Sequence, residues 1–446
     1  MFIPKKRLLS ALCMGALLGA LLSACGSDGG DADQSASAKQ GDDLAQGVTQ
    51  DQILIGHLGP QTGPVAIYDQ VREGIESYFN YVNEQGGVKG HKLKLIAYDD
   101  QYQPSKTVKL ARRLVEEDKV FAILGDIGTP TNTAIKDYLV DSGIPVVMLS
   151  SGSSQFVNPP IKNFMGSSII NYEFEAKLLA DYAVNTLGAK KIAIAYQNDD
   201  YGTPLGEAAK EALKGFDGVE VVQEVNFQAG DADLSSQAQR LKRANPDAIL
   251  DFAVPAPAAK LKKALFDIGF TKPPFIVSSV GANEKKLFDL AGKEVWNGTY
   301  SSAVYPMPEE SDSDVMKVFV KQFSGDFPQS PLAGSAQVGW AAAQVLVEAL
   351  KRTDKLTWDD FLASFNSFDN WDGSMYSGVT FSKDNHYGLT SLFITQAKDG
   401  KIVPISDPIS FDPATGEINA PEQGGDKMGD DKASEDKEKS GDSGSN

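Results

Sequence analysis

The sequence has little cysteine: two residues among 446, Cys13 and Cys25. Both lie within the first 25 positions. If the leading segment is cleaved after residue 24, Cys13 is lost and only Cys25 remains. The body of the chain then has no pair of thiols for a disulfide and no thiolate nucleophile, which excludes disulfide-stapled domains and cysteine-dependent enzymes.

Histidine and enzyme motifs are also scarce. The three histidines, His57, His91 and His386, lie far apart, and no HExxH or other paired-ligand spacing links them. The sequence contains no phosphate-loop, GxGxxG or GxSxG motif, and no base can be assigned to the serines of 150–154. We therefore expect no catalytic residues, no metal and no cofactor.

Positive charge is in deficit. The chain has 42 Lys and Arg against 60 Asp and Glu, a formal net charge of −18 at pH 7. Loss of residues 1–24 would leave 39 basic against 60 acidic residues, or −21. A nucleic-acid partner is excluded because it favours a basic face. The length of 446 residues suits two domains plus tails.

The first 24 residues are typical of an export signal peptide. A basic start at 5–7 precedes the apolar run 8–22. Leu22-Ser23-Ala24-Cys25 resembles a bacterial lipobox, whose cysteine receives a lipid before cleavage. The alternative is an ordinary signal peptide with a chance cysteine. We predict lipidation of Cys25, and more than one acyl chain would give stable anchoring.

Both ends of the exported chain are poor in large apolar residues. Residues 25–49 are rich in Gly, Ser, Asp, Ala and Gln, and 413–446 are strongly charged. Such segments bury too little surface to offset their ordering entropy. We predict a flexible tether over 25–49 and a disordered acidic tail over 413–446.

Short apolar runs alternate with helical patterns in the first half. Val71, Ile75, Phe79 and Val82 recur at spacings of three and four, as in an amphipathic helix. Strands and helices in strict turn imply parallel strands with right-handed helical crossovers, hence a doubly wound sheet. The predicted strands of this half are 53–55, 93–97, 121–124 and 145–149.

The strand–helix pattern restarts at 191–196 and continues to 275–277, which predicts a second α/β lobe. The remaining third adds amphipathic stretches and a hairpin at 389–405, with Asp399-Gly400 as its turn. A chain that completes two lobes and then revisits them crosses the hinge several times. Such a scaffold suits closure on a ligand.

Three turns rich in Gly, Ser and Thr follow predicted strands, at 59–64, 125–133 and 150–154. Open α/β sheets bind ligands at the carboxyl ends of their strands. Free amides and the dipole at a helix start attract an anion such as a carboxylate. We expect Thr129 and Ser154 to hold it. The alternative is that Thr129 or Thr131 only caps its own helix.

Several motifs follow one another in a characteristic order: G-P-x-T-G-P at Gly59–Pro64, the turn Asn83–Gly90, Tyr98–Asp100, Pro104–Val108, Gly143–Ser154 and Asn198–Gly202. Their order resembles the leucine/isoleucine/valine-binding protein family, the type I solute receptors of ABC importers. The resemblance covers roughly residues 50 to 410, and it implies two lobes that are joined by three crossovers and close on a small solute.

The resemblance also implies lobe boundaries and ligand contacts. Thr129 matches a residue that receives the ligand carboxylate, and the serines match a segment that contacts both carboxylate and ammonium. The two tyrosines match pocket aromatics, although each could instead be a core residue. The lobes are predicted at 50–170 plus 306–384 and at 171–305 plus 385–412, and the contacts at Thr129, Ser151, Ser153, Ser154, Tyr68, Tyr201 and Ser279.

Ser279 departs from the family pattern. It stands where amino-acid-binding members have an acidic residue that pairs with the ammonium group. A buried ammonium without a counter-charge is costly. Either another acid substitutes, such as Asp126, Asp199 or Asp251, or the ligand lacks an amino group. We therefore expect a ligand other than an ordinary branched-chain amino acid.

The sequence as a whole predicts a lipid-anchored, non-enzymatic binding protein outside the cytoplasm, at the outer face of the cytoplasmic membrane or in the periplasm. Its predicted partners are a small polar solute, such as an amino acid or related carboxylate or amide, an ABC permease and the membrane that holds the anchor. We expect a monomer. The alternative is a sensor lipoprotein that signals to a membrane receptor or kinase, because fold alone does not fix function.

Overall fold

The structure is a computed structural model that describes residues 44–332 and 334–419. The predicted export signal, the lipidation site Cys25 and residues 420–446 of the predicted tail lie outside the described residues.

The described residues include sixteen strands and thirteen α-helices. The strands are β1 Gln52–Gly59, β2 Lys92–Asp99, β3 Ala122–Leu124, β4 Val146–Leu149, β5 Phe164–Ser167, β6 Lys191–Gln197, β7 Glu220–Phe227, β8 Ala248–Phe252, β9 Phe275–Val277, β10 Tyr300–Ala303, β11 Thr380–Ser382, β12 Asn385–Gly388, β13 Ser391–Lys398, β14 Lys401–Pro404, β15 Ile409–Phe411 and β16 Ile418–Asn419. The helices are α1 Asp69–Glu84, α2 Pro104–Arg112, α3 Thr129–Ser142, α4 Tyr172–Asp181, α5 Gly202–Leu213, α6 Ser235–Ala244, α7 Pro255–Asp267, α8 Ser279–Ala282, α9 Leu287–Leu290, α10 Lys293–Trp296, α11 Asp314–Asp326, α12 Gly334–Arg352 and α13 Trp358–Ser364.

Two sheets define two lobes, and the chain crosses between them three times. Helices cover both sheets, and the carboxyl ends of the central strands point toward the crossings. Lobe 1 comprises 44–167 and 314–388, lobe 2 comprises 172–303 and 391–419, and the crossings are 168–171, 304–313 and 389–390. The predicted fold class, two α/β lobes with three crossovers, is confirmed.

Lobe 1 contains a parallel sheet in the order β2-β1-β3-β4-β5. Its central strand β3 is buried on both faces, as expected where helices cover both sides. Helix α1 turns Val71, Ile75 and Phe79 into the core at the predicted spacing. It lies so close to α12 that a Cβ on Gly339 would be 1.9 Å from the Val71 carbonyl oxygen, so this crossing requires glycine.

Lobe 2 contains a mixed sheet in the order β16-β15-β13-β10-β9-β8-β6-β7, with β14 beside β13. Strands β6 to β10 pair in parallel, whereas β13 pairs antiparallel with β10 and β14. The predicted hairpin is confirmed: Lys398 lies opposite Lys401, and both turn residues, Asp399 and Gly400, have positive φ.

The structure differs from the predicted segment limits at three places. Residues 44–49, predicted as tether, pack on lobe 1, where the Ala45 N–H donates to the Leu356 carbonyl at 2.9 Å. Strand β12, predicted to start lobe 2, pairs with β11 in lobe 1. Strand β16 pairs with β15 inside the predicted tail, because Ile418 adds one more apolar residue to the edge of the sheet.

Candidate ligand-binding cleft

Segments from both lobes enclose a single cleft. Residues that follow β1 to β5, together with the start of α12, form one wall, and residues at or after the ends of β6, β8, β9 and β10 form the other. The cavity in the cleft has a volume of about 80 Å³. This is the position at which open α/β sheets bind their ligands.

The start of α3 lies in this cleft. Gly128 precedes it with a φ of 102°, and a Cβ there would be 2.4 Å from the Tyr102 ring, so the turn requires glycine. Thr129, 1% exposed, shares a 2.8 Å hydrogen bond with the Ser151 hydroxyl. Within the described residues its backbone N–H has no acceptor. An amide, a hydroxyl and the positive end of the helix dipole are thus presented together.

Neither Thr129 nor Thr131 caps α3: Gly128 is the N-cap residue, and no side chain accepts a backbone N–H there. The Thr131 hydroxyl donates to the carbonyls of Ile127 at 2.6 Å and Gly128 at 3.0 Å, both at the start of its own helix. The Thr129 hydroxyl bonds across to Ser151, in the loop after β4. The Thr129 hydroxyl is therefore not held by a carbonyl of its own helix and can face the cleft.

The three predicted serines have different surroundings. Ser151 is buried beside Thr129. The Ser153 hydroxyl accepts from the Gln155 amide at 3.2 Å, and the Ser154 hydroxyl donates to Glu173 at 3.0 Å. None of Ser151, Ser153 and Ser154 lines the cleft. A short 3-10 turn that begins at Ser154 carries the side chains of Ser153 and Ser154 outward, so the structure does not bring them to the predicted carboxylate site.

Aromatic side chains form much of the cleft wall. The Tyr68 hydroxyl donates across the lobes to the Val280 carbonyl at 3.1 Å, and the Tyr201 hydroxyl shares a 2.6 Å hydrogen bond with Ser278. Burial raises the pKa of Tyr68 and Tyr201 well above 10, so both hydroxyls stay neutral. The tyrosines that line the cleft are Tyr68, Tyr102, Tyr172, Tyr201 and Tyr305.

Ser279 also lines the cleft, at the start of α8. Its backbone N–H donates to a carboxylate oxygen of Glu175 at 2.5 Å, and the Ser302 hydroxyl donates to the same oxygen. Burial raises the pKa of Glu175, and these two hydrogen bonds oppose that rise. Glu175 therefore fixes the loop that carries Ser279.

The three acids considered as replacements for the missing counter-charge do not line the cleft. Asp126 accepts the backbone N–H of Leu58 at 2.6 Å, and Asp199 accepts that of Gly202 at 3.1 Å. Asp251 is fully buried in β8, and neither of its oxygens has a hydrogen-bond partner among the described residues. The carboxylate that does line the cleft is Glu284.

Residues 52–401 match the family model described as periplasmic binding protein. The chain belongs to the periplasmic binding protein family. Two curated relatives are similar to this periplasmic binding protein. It is 24% identical over 357 residues to Leu/Ile/Val-binding protein homolog 3 of Brucella melitensis, covering 79% of the chain and 93% of the relative. It is 29% identical over 198 residues to the Leu/Ile/Val/Thr-binding protein of Salmonella typhimurium, covering 44% of the chain and 53% of the relative.

Solved structures support the same fold. The fatty acid ABC transporter substrate-binding protein from Thermomonospora curvata has a TM-score of 0.75 at 22% identity, covering 84% of this chain and 96% of its own. The branched-chain amino acid transporter substrate-binding protein of Streptococcus pneumoniae, solved with isoleucine, has a TM-score of 0.71 at 18% identity, covering 83% and 100%. The present protein has the type I two-lobe fold.

Periplasmic binding proteins bind small solutes outside the cytoplasm and deliver them to ABC transporters, and they are not enzymes. The predicted family and the absence of an enzymatic role are confirmed on this basis. Across 44–332 and 334–419, no helix combines the length and apolar character that crossing a bilayer requires.

Sequence reasoning missed several residues of the cleft. Tyr102 and Tyr172 have no motif that separates them from core aromatics. Asn283 and Glu284 follow the short helix α8, where no hydrophobic period marks which way a side chain points. Ser335 lines the cleft because α12 begins there, 51 residues after Glu284.

Proposed function

We propose that this protein is a lipid-anchored receptor that binds a small polar solute, an amino acid or related carboxylate or amide, between its lobes and delivers it to an ABC importer. The observation that carries the proposal is the start of α3, where the unpaired N–H and the hydroxyl of Thr129 line a tyrosine-rich cleft between the lobes. A carboxylate oxygen of the solute would accept from both donors.

The size of the cleft supports a compact solute. The cavity volume of about 80 Å³ is small and favours a solute of few heavy atoms. A fatty acid, the ligand class named for the Thermomonospora curvata protein, would require a larger space between the lobes.

Lipid attachment at Cys25 is part of the proposal. It is supported by the lipobox-like Leu22–Cys25 after a basic start and an apolar run. Cys25→Ser is expected to move the protein from the membrane fraction to the soluble extracytoplasmic fraction, with unchanged folding. A wild-type protein that is soluble after export, with no mass increase at Cys25, would contradict the anchor.

The test of the binding site compares two variants. A thermal-shift screen of amino acids, carboxylates and amides first identifies a stabilising solute, because a ligand of the native state raises the unfolding temperature by mass action. Calorimetry then measures its affinity. Thr129→Ala removes one hydrogen bond to a charged group, worth about 1.5–3 kcal/mol, so we expect roughly 10- to 150-fold weaker binding. Thr129→Ser keeps the hydroxyl and should bind nearly normally.

Ser154→Ala is the matched control. The sequence alone predicts that Ser154 contributes as much as Thr129, whereas its hydroxyl donates to Glu173 away from the cleft. We therefore expect the affinity of Ser154→Ala to equal that of the wild type. Equal losses in Thr129→Ala and Ser154→Ala, or none in either, would remove the carboxylate site from the start of α3.

A further inference from the structure

Lobe 2 contains a second cavity at the end of its sheet that is remote from the cleft. This second cavity lies against the amino ends of β8, β9 and β10, at Ile249, Phe275 and Tyr300, whereas the cleft lies at the carboxyl ends of the same strands. Its volume is about 440 Å³, against about 80 Å³ for the cavity in the cleft. Small-molecule sites typically have volumes of about 300–1,000 Å³, so the second cavity has room for an organic ligand.

Apolar and aromatic side chains form most of the wall of the second cavity. Phe266 belongs to α7 and is 37% exposed, and Phe270 follows it in the loop before β9. Pro273 and Pro274 complete this side of the wall. Such a surface favours a ligand with a flat apolar body, because burial of apolar area contributes roughly 25 cal/mol per Å² and aromatic rings add to it by stacking.

A mostly buried positive charge at this wall has no counter-charge. Lys262 of α7 donates to the carbonyls of Trp296 and Asn297, both at 3.2 Å, and also to the Thr299 hydroxyl. Its Nζ lies 5.8 Å from the centre of the Phe275 ring. These partners are all neutral, and no carboxylate among the described residues forms an ion pair with Lys262. A buried charge without an opposite charge is costly, so an anion in the second cavity would be stabilised.

The other polar groups of the second cavity fit the same kind of ligand. Lys272 and Glu294 also line it, but both are exposed, so water and salt screen their opposite charges more than the charge of Lys262. Asn297 Oδ1 is buried, and no described residue donates to it. A hydroxyl or N–H group on the ligand could therefore satisfy this oxygen.

We propose that the second cavity is an accessory binding site for an organic anion with an aromatic body, such as an aromatic carboxylate or sulfonate, and that Lys262 is its counter-charge. The aromatic body lies against Phe266 and Phe270, with the anionic group on the side of Lys262. Because neutral groups already accept from the Lys262 ammonium, Lys262 acts mainly through its charge. The site is separate from the cleft, and the proposal does not depend on which solute the cleft binds.

The ionisation of Lys262 provides a second measure of the site. Burial lowers its pKa to about 7, so near neutral pH part of the empty protein has a neutral amine there. A bound anion favours the ammonium form, and above pH 7 its binding is therefore accompanied by proton uptake. The other titratable groups that face the second cavity, Lys272, Glu294 and Tyr300, stay in place when Lys262 alone is replaced. A comparison of pH profiles with and without Lys262 thus isolates its contribution.

The test uses two fluorescent probes that differ only in the anionic group. The first is 8-anilinonaphthalene-1-sulfonate, and the second is N-phenyl-1-naphthylamine, which has a hydrogen in place of the sulfonate. We expect the sulfonate to bind the folded protein about tenfold more tightly than the neutral probe, and Lys262→Met to remove this difference. Lys263→Met removes the neighbouring exposed lysine, which pairs with Asp267, and should bind both probes as the wild type does.

The pH profile is measured with the same sulfonate probe. Between pH 7 and 9 the affinity of the wild type should fall by up to about tenfold per pH unit toward that of Lys262→Met, because the neutral amine no longer attracts the anion. The affinity of Lys262→Met should change much less over this range. Parallel profiles of the two proteins would overturn the role of Lys262.

Four other results would also overturn the inference. They are no binding of the sulfonate, equal binding of the two probes, equal affinity of Lys262→Met and the wild type for the sulfonate, and displacement of the sulfonate by a solute that saturates the cleft. If Lys262→Met does not fold, Phe266→Ala decides, because it should weaken sulfonate binding about fivefold or more. Leu290→Ala removes a similarly exposed apolar side chain outside the second cavity and should leave binding unchanged. Equal affinities of these two variants would contradict the site.

Discussion

Adding a methyl group at the contact between the lobes should weaken solute binding without lowering the stability of the fold. Gly334 begins α12 in lobe 1, and an added Cβ would be 2.5 Å from the carbonyl oxygen of Asn283 in lobe 2. Real Cβ atoms are not found so close to an oxygen, so Gly334→Ala must hold the lobes about 1 Å further apart at this point. Within lobe 1 the substitution is harmless, because alanine favours helix over glycine by up to about 1 kcal/mol.

Gly334→Ala should lower the affinity for the solute but should not lower the stability of the solute-free protein. Overpacking of a tight contact costs about 1–3 kcal/mol, here against closure only, so we expect roughly 5- to 150-fold weaker solute binding. The unfolding temperature of the solute-free protein should stay the same or rise. Calorimetry with the solute of largest thermal shift measures the first effect, and thermal unfolding without solute measures the second.

Gly325→Ala provides the control for Gly334→Ala. Gly325 lies in α11, and a Cβ there would have no atom within 4 Å. Its solute affinity should equal that of the wild type. If Gly334→Ala binds within twofold of the wild type, or if both variants weaken binding equally, the Gly334–Asn283 contact does not limit closure and the reasoning is wrong.

Three further predictions concern buried groups. Burial raises the pKa of Asp251 well above its usual value, so the folded protein keeps a proton that the unfolded chain releases near pH 4, and stability falls as pH rises between those two pKa values. Asp251→Asn should therefore gain up to about 1.4 kcal/mol per pH unit over the wild type in urea unfolding as the pH rises above about 4.5 toward the folded-state pKa of Asp251; parallel curves would contradict this. Tyr68→Phe, which loses the bond to Val280, should weaken solute binding by about 2- to 10-fold in calorimetry, and unchanged affinity would mean that the bond is absent in the bound form. Gly128→Ala places a Cβ against the Tyr102 ring at a φ that alanine rarely adopts, so it should lower the unfolding temperature and abolish solute binding. An unchanged unfolding temperature and affinity would show that the turn can rearrange.

The sequence predicts the fold well where burial of one face makes apolar residues recur at a regular spacing. Helix α1 has its core side chains at the expected spacing because one face packs against the sheet and α12. The hairpin at Asp399-Gly400 was predictable because the turn requires two residues with positive φ. The start of α3 was predictable because a buried strand ends there in Gly, Thr and Pro residues.

The cleft was less predictable because its surface depends on contacts between distant segments. Glu284 contacts Ser335 only when the two lobes are assembled, and the sequence around either residue gives no sign of this contact. Ser154 follows the same strand end as Ser151, yet a short 3-10 turn carries its hydroxyl to Glu173. The direction of a side chain in such a turn is set by tertiary packing, which a motif does not contain.

The packing of residues 44–49 has a mechanical consequence. Gln46 donates to the carbonyl of Val120 at 3.0 Å, next to the amino end of β3, on the side of the sheet edge remote from the cleft. Any tension transmitted along the polypeptide from upstream is thus received by lobe 1 at its base. We expect such tension to reach lobe 2 only through the crossings, because the described chain enters the fold in lobe 1.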